Sequence, residues 1–385
     1  MGVARVSNQS EIQDFIEFPF QLYDGDNSLW VPSMISDMEN TLDRDSHPFY
    51  EDAGSDAQPF IFKEDGKIKG RIMAIESEPY NEEHRTNTAF FYFFESIESQ
   101  RVADALFDAV IDWARSRGLG TVIGPMGLLA GDGHGALIEG FDRRPGMGMP
   151  WNPPYYQELI ESRGFEKHAD TLSAQVPLNF EAHQDLIRKL YRSAIKVKNK
   201  RGIEVKSFES KEEVRDQLPF LVPELSRVFN ESFKNLPFYH PMDEAKMRRI
   251  IDRLLSVSSG RSINLVKLAM KDNRVIGFLL AYPNIVSELR KAGGRLFPLG
   301  WLRISLGRRF TRWVDANGIG ILPEFQGKGA TVVLYAQLLK TLQESRFDHL
   351  IINQILENNH KNLREMKIFE VTEFDRVHRI FKRKV

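Results

Sequence analysis

The sequence contains no cysteine. That absence removes disulfides, thiolate metal ligands and cysteine nucleophiles together, and it fits a reducing, cytoplasmic setting. Long apolar runs are missing as well. No stretch approaches the ~20 apolar residues that a membrane-spanning helix requires. The N-terminal MGVARVSNQSEIQDF lacks the apolar centre of a secretion signal. Val6 stands where a myristoylation signal on Gly2 needs Ser or Thr. Charge of one sign is also lacking: 52 Lys and Arg face 53 Asp and Glu, for a net charge of −1. Such a molecule is no electrostatic trap for a polyanion, so no nucleic-acid partner is expected. The 9 histidines are nowhere grouped with carboxylates at ligand spacing, so no metal is expected.

What is present points to a folded chain of more than one unit. At 385 residues it exceeds what one hydrophobic core usually supports, and two domains are expected. Hydrophobic content of 42% and charged content of 27% are ordinary for a globular protein. Phenylalanine is abundant, 27 against 10 tyrosines. Two explanations fit: aromatic core packing, or a greasy cleft for a long acyl chain or lipid.

Periodicity divides the chain into two passes of similar order. The first predicts helices over Glu11–Tyr23 and Ser33–Leu42, then strands Pro59–Lys63 and Ile68–Ile75 across the turn Glu64-Asp-Gly-Lys67. An aromatic strand Thr88–Phe94 follows, then a helix Ser99–Arg117 with the stripe Val102, Leu106, Val110, Trp113 and Gly118 as its stop. Strand Thr121–Gly124, helix Pro154–Arg163 and closing strand Thr171–Val176 complete the pass. The second predicts strand Gly202–Phe208, a long helix Lys211–Phe233, helix Asp243–Leu255 and a hairpin of Ile263–Lys271 with Val275–Tyr282. Strand Trp313–Leu322, helix Gly329–Glu344, strand His349–Leu356, a short helix and a terminal strand end it. The fold class expected is α/β (α+β), with each domain a mixed central sheet flanked by helices. The boundaries read as 1–178, a charged linker at 179–201 carrying Lys196, Lys198, Lys200 and Arg201, and 202–385.

One turn carries chemistry. Leu322-Pro-Glu-Phe-Gln-Gly-Lys-Gly-Ala-Thr331 lies between an apolar strand and a helix. Two glycines let the backbone turn tightly and bare consecutive N–H groups, and the following helix adds its positive end, an arrangement suited to a pyrophosphate. Neither the spacing of a Walker loop nor the third glycine of a dinucleotide fingerprint is there.

This turn resembles the pyrophosphate loop of the GNAT N-acyltransferases, Gln/Arg-x-x-Gly-x-Gly/Ala: Gln326 and Gly329 match, and Thr331 departs from the usual Gly or Ala. The resemblance implies acetyl-CoA or a longer acyl-CoA as cosubstrate. Gln326, Gly327, Lys328, Gly329 and Ala330 would hold its phosphates, with Ile321 and Leu322 at the end of a splayed strand beside the pantetheine and Asn359 close to it. His47-Pro-Phe-Tyr50, Gly70-Arg-Ile72, Phe91-Tyr-Phe-Phe-Glu95, Gly124-Pro125, Asn152-Pro-Pro-Tyr-Tyr156 and Gly294-Arg-Leu-Phe-Pro298 extend the likeness. They are similar to a bacterial group of tandem GNAT-like proteins, some implicated in ceramide synthesis. Two GNAT-like domains are then expected, the first degenerate: its corresponding turn, Phe94-Glu-Ser-Ile-Glu-Ser99, is acidic and has no glycine.

Acyl transfer to an amine needs a deprotonated nucleophile, a home for the oxyanion and a proton for the departing thiolate. By that resemblance Asp315, on the strand entering the loop, is the first candidate base and Glu357 the second. The family's usual acid, a Tyr seven residues after the Asn, is here Met366, so Tyr335 or Tyr239 is expected to serve, or water. His134, in the loop Gly131–Gly135, is read as an exposed loop histidine.

The insertion Arg295–Trp313 spaces Leu299, Leu302, Leu306, Phe310 and Trp313 helically, with Arg303, Arg308, Arg309 and Arg312 mostly opposite. Peripheral contact with a membrane surface, at the inner membrane, is one expectation; packing on the other domain is the other. The function expected is N-acyl transfer from acyl-CoA to a small-molecule or lipid amine such as a sphingoid base. The alternatives are a non-catalytic acyl-CoA-binding regulator and a transferase using aminoacyl-tRNA.

Overall fold

The computed structural model describes residues 2–385 apart from 26–27, 130–131, 259–261, 370 and 372. The first pass forms β1 (Gly2–Arg5), α1 (Gln9–Leu22), α2 (Ile35–Leu42), β2 (Asp56–Glu64), β3 (Lys67–Glu76), α3 (Glu78–His84), β4 (Thr88–Ser96), α4 (Gln100–Ser116), β5 (Thr121–Gly124), β6 (Ala136–Glu139), α5 (Tyr156–Glu161) and β7 (Glu166–Pro177). The second forms α6 (Gln184–Arg201), β8 (Glu204–Ser207), α7 (Lys211–Asp216), α8 (Leu218–Phe233), α9 (Glu244–Val257), β9 (Lys267–Lys271), β10 (Arg274–Pro283), α10 (Val286–Ala292), α11 (Gly300–Phe310), β11 (Trp313–Ile321), α12 (Ala330–Gln343), β12 (His349–Leu356), α13 (His360–Glu365) and β13 (Arg376–Lys384).

Local rules account for many boundaries. Asn8 caps α1 by accepting from the Glu11 N–H at 3.0 Å, while Glu11 reaches back to the Ser7 N–H at 2.8 Å, a reciprocal cap. Both tight hairpins place two residues at positive φ, Asp65-Gly66 and Asp272-Asn273, the twist that two-residue turns between strands require. The stripe of α4 is buried as its spacing predicts, from Val102 to Trp113. The long helix predicted over Lys211–Phe233 is divided at Gln217, because Pro219 has no N–H to give the carbonyl four residues back, that of Arg215, and is instead accommodated in the first turn of α8. The segment read as a charged linker is largely the helix α6. Its Tyr191 hydroxyl donates to Gln343 on α12 at 2.6 Å, and its Val197 packs against Gly329.

Among the described residues all thirteen strands belong to one sheet, in the order β1-β2-β3-β4-β5-β13-β7-β12-β11-β10-β9-β8, with β6 beside β13. Pairing is parallel between β4 and β5 and between β11 and β12, and antiparallel elsewhere. The last strands of the two passes change places: β13 pairs with β5, and β7 pairs with β12. β7 and β13 also pair with each other, joining the halves edge to edge. Arg379 clamps Asp170 with two bonds of 2.9 and 3.0 Å across this seam. One core lies among the second half's helices, and two lie on the faces of the first half's sheet, around Phe91 and Phe107 and around Phe15 and Phe90.

Candidate functional site

β11 and β12 run together from Trp313↔His349 to Ala316↔Ile352 and then part. Beyond that point β11 stays with β10 as far as Ile321, and β12 stays with β7 as far as Leu356. Each strand is therefore anchored on its outer side while the gap between them opens. A bulge sharpens the divergence, Asn317 and Gly318 facing the single residue Leu280, with Gly318 at φ 141°. A cavity of about 900 Å³ occupies the fork and extends under both halves. Asn317, Ile319, Asn353 and Leu356 line it at the fork, Phe229, Ile250 and Phe278 in the second half, and Phe20, Trp30 and Tyr92 in the first. The phenylalanine excess therefore serves both expected ends: some rings fill cores and others wall a cleft.

The walls are mainly apolar, and polar side chains interrupt them at fixed positions. The Asn317 side-chain amide donates to the Tyr282 hydroxyl at 2.6 Å, and burial pushes the Tyr282 pKa up, so it stays a neutral donor. Asn353, the first residue of β12 past the last pair, is 8% exposed. Neither its amide nitrogen nor its carbonyl oxygen has a protein partner. A buried amide left unpaired costs about 1–3 kcal/mol, so the geometry suits a ligand that supplies both partners. Further along, the ion pairs Arg71–Glu95 and Arg253–Asp132 also border the cavity. Tyr282, Asn317 and Asn353 were not singled out from the sequence. Nothing local marks them, since the fork that unites them is a property of three strands.

The glycine turn stands just past the end of β11. Gly327 and Gly329 take φ of 70° and 91°, and Gly329 directly precedes α12. A Cβ on Gly329 would lie 2.5 Å from Val197 of α6, so that position admits only glycine. Gln326 donates to the Ile321 carbonyl at 3.1 Å and accepts from Lys361 at 3.1 Å, pinning the turn to the strand and to α13. Gln326, Gly327 and Lys328 are exposed, whereas Ile321, Leu322 and Ala330 are buried. The first-turn amides of α12 have no intrahelical acceptor and carry the positive end of the helix dipole. A pyrophosphate fits this cradle. Asn359 lines the cavity and caps α13 through the Asn362 N–H at 3.2 Å.

The three candidate catalytic side chains are not brought together. Asp315 is fully buried at the meeting of the halves, accepting from the Met147 N–H at 2.6 Å and from Asn284 at 2.9 Å, and it is not among the residues lining the cavity. Burial raises its pKa to about 6, against the opposing pull of those two bonds and of Arg376 and Arg144. Glu357 lies at the surface of the seam, bound to Lys167 at 2.8 Å and to the Asp170 N–H at 3.0 Å. Tyr335 does line the cavity, 3% exposed and edge-on to Phe369 at 5.0 Å, with its hydroxyl pKa raised by burial. Met366 lines it too. His134, expected to be exposed, instead borders the cavity, and burial lowers its pKa to about 4. Gly131, at the start of its loop, lies outside the described residues. Among the described residues no group of His, Asp and Glu could hold a metal ion, and no helix is long and apolar enough to cross a membrane.

No protein-family model matches the sequence. Over 361 residues it is 26% identical to protein YghO of Escherichia coli K12, covering 91% of this chain and 87% of that one. Over 306 residues it is 24% identical to the bacterial ceramide synthase of Caulobacter vibrioides, covering 79% and 75%. Among solved structures, a tandem GNAT protein from the clavulanic acid biosynthesis pathway superposes with a TM-score of 0.56 over 99% of this chain and 98% of its own, at 10% identity. That likeness extends through both halves rather than the glycine turn alone, and the chain has the tandem GNAT fold.

Proposed function

We propose that the protein is an N-acyltransferase that moves an acyl group from acyl-CoA to the amine of a long-chain or lipid acceptor, of the sphingoid-base kind. The observation that carries the reading is the open fork between β11 and β12, leading from a phosphate-compatible turn into a large apolar cavity. Gln326, Gly327, Lys328, Gly329 and Ala330 receive the CoA phosphates, and Ile321, Leu322 and Asn359 flank the pantetheine. The acceptor class draws support from the cavity's apolar walls and from the relative described as a ceramide synthase. A membrane surface reached through residues 295–313 belongs to the same reading as the source of such an acceptor.

In the reaction the amine nitrogen bonds to the thioester carbon, the carbonyl oxygen takes the negative charge, and the carbon–sulfur bond then breaks. An apolar cavity disfavours an ammonium ion and so delivers the amine neutral, its proton left to solvent. Asn353 offers its unpartnered N–H to the oxyanion. Tyr282, held in place by Asn317, passes a proton to the departing thiolate and takes up the one that the new amide nitrogen releases, so it ends neutral as it began. It is preferred to Tyr335, which comes from α12 and packs on Phe369. Asp315 acts as a positioning residue, fixing Met147 and Asn284 at the junction of the halves. Glu357 holds the seam with Lys167.

The test is thiol release from acetyl-CoA and from long-chain acyl-CoA with alkyl amines of increasing length. Each added methylene that enters the cavity is worth about 0.8 kcal/mol, so kcat/KM should climb steeply with acceptor length. Tyr282→Phe should lower kcat by roughly a hundredfold with KM little changed. No thiol release with any amine would overturn the reading.

A further inference from the structure

Among the described residues nine large hydrophobic side chains are exposed, and seven of them fall between Leu296 and Phe310. Phe297 is 79% exposed, Phe310 61% and Leu299 55%. The way α11 packs accounts for this. Its inward face consists of Gly300, Ile304 and Gly307, and Gly307 lets the helix close onto Glu288 of α10, where a Cβ would meet that side chain at 2.4 Å. The helix thus seats itself on its small residues and turns Trp301, Leu302, Leu306 and Phe310 outward. Isolated exposed hydrophobics are ordinary on a surface, but a contiguous cluster marks an interaction site.

The chemistry around the cluster selects the partner. Residues 295–313 contain five arginines and no acidic residue. Arg309 lies over the Phe310 ring at 5.7 Å and Arg346 at 5.8 Å. Arg303 and Arg308 are drawn to the carbonyls of Lys291 and Ser256. A second copy of this chain would set arginine rim against arginine rim in a twofold contact, which repels. A surface that offers hydrocarbon beneath an anionic layer matches both features. The patch is also part of the cavity wall, for Leu296, Trp301, Ile304, Ser305 and Arg308 border that space.

We propose that the segment Leu296–Phe310 docks on an anionic bilayer, its outward apolar side chains entering the leaflet and its arginines meeting the headgroups. A long-chain amine then passes from the leaflet to the cavity without crossing water. The docking rests on the surface alone; only the passenger rests on the function proposed above.

The experiment is sedimentation of the full-length protein with vesicles of phosphatidylcholine alone or mixed equally with phosphatidylglycerol, beside calorimetry of CoA binding. Wild type should sediment with the anionic vesicles at low salt and much less with the neutral ones. Phe297→Ser/Leu306→Ser/Phe310→Ser changes three exposed positions that do not line the cavity, and should weaken partitioning by roughly tenfold or more with CoA affinity unchanged. Arg303→Glu/Arg309→Glu should abolish the preference for anionic lipid. Wild type that binds CoA yet ignores both kinds of vesicle overturns the docking and leaves the function standing. Vesicle binding without CoA binding does the reverse. A wild-type dimer that the triple change dissociates also overturns the proposal, because the patch then belongs to a second copy.

Discussion

The molecule contains two forks of the same topology, and they have opposite fates. β4 leads into α4 as β11 leads into α12, and each strand pairs in parallel with its downstream partner only briefly, Thr88–Phe90 with Thr121–Ile123 and Trp313–Ala316 with His349–Ile352. The first fork is closed. The Met126 N–H bridges to the Phe91 carbonyl at 2.9 Å, and the Phe91 ring stands edge-on to Phe107 and Phe165 at 5.2 and 5.4 Å. Its turn is closed as well: the Ser96 N–H donates to the Tyr156 hydroxyl at 2.9 Å and the Ile97 N–H to the Lys69 carbonyl at 3.0 Å. In the second half two left-handed glycines bare the amides before α12, and the gap beyond Ala316 is walled rather than filled. A splayed pair of strands becomes core or cleft according to whether neighbouring aromatics enter it.

The comparison breaks first under Phe91→Ala. Emptying the closed fork should cost about 3–5 kcal/mol in chemical denaturation, because Phe91 is fully buried among other rings. CoA affinity of the folded variant should be unchanged; a parallel loss would mean that the two forks are one site. Gly329→Glu is the counterpart in the open half. Calorimetry should register a loss of CoA affinity of about a hundredfold, roughly 2.7 kcal/mol, from a carboxylate at the phosphates and a Cβ against Val197. Lys328→Glu, at an exposed position without that crowding, should give a smaller loss. Full affinity in both variants would remove the distinction between the turns.

A weaker effect should appear at the junction. Burial lifts the Asp315 pKa from 3.8 to about 6, so between those values the folded chain holds a proton that the unfolded chain has released. Its favourable contribution is complete below about pH 4 and is lost as pH rises through 6. Wild-type stability relative to Asp315→Asn should therefore decline over that interval, by on the order of 2–3 kcal/mol. If Asp315 positions rather than reacts, the variant's loss in kcat should not follow the same titration. A pH–rate profile whose acid limb near 6 vanishes in the variant would make Asp315 the base.

Much of this was legible locally. Turn chemistry announced both hairpins, 3.6-residue periodicity announced α4 and α12, and Gly327 and Gly329 announced the tight turn before α12, since each signal lies within a few residues of what it specifies. Partners that are distant along the chain were not legible. The charged stretch ending at Arg201 looked like a linker because its few apolar residues find their use only on α12. Trp313, which the sequence offered both as the end of that helical stripe and as the start of a strand, begins β11, and only the fold shows that it stacks on His349 at 4.1 Å. The same spacing described the stripe of α11 without saying that Gly300 and Gly307 would take the inside. Sequence alone determined which residues share a face and which turn is built on glycines, because backbone propensity and side-chain period act over short range. The tertiary structure decided that β7 and β13 exchange places, that Asp315 faces a seam, that Asn353 is left unpaired in a cleft and that an apolar helix face meets solvent. Burial belongs to what covers a face, and here the covering elements lie as much as two hundred residues away along the chain, as Asp170 and Arg379 do.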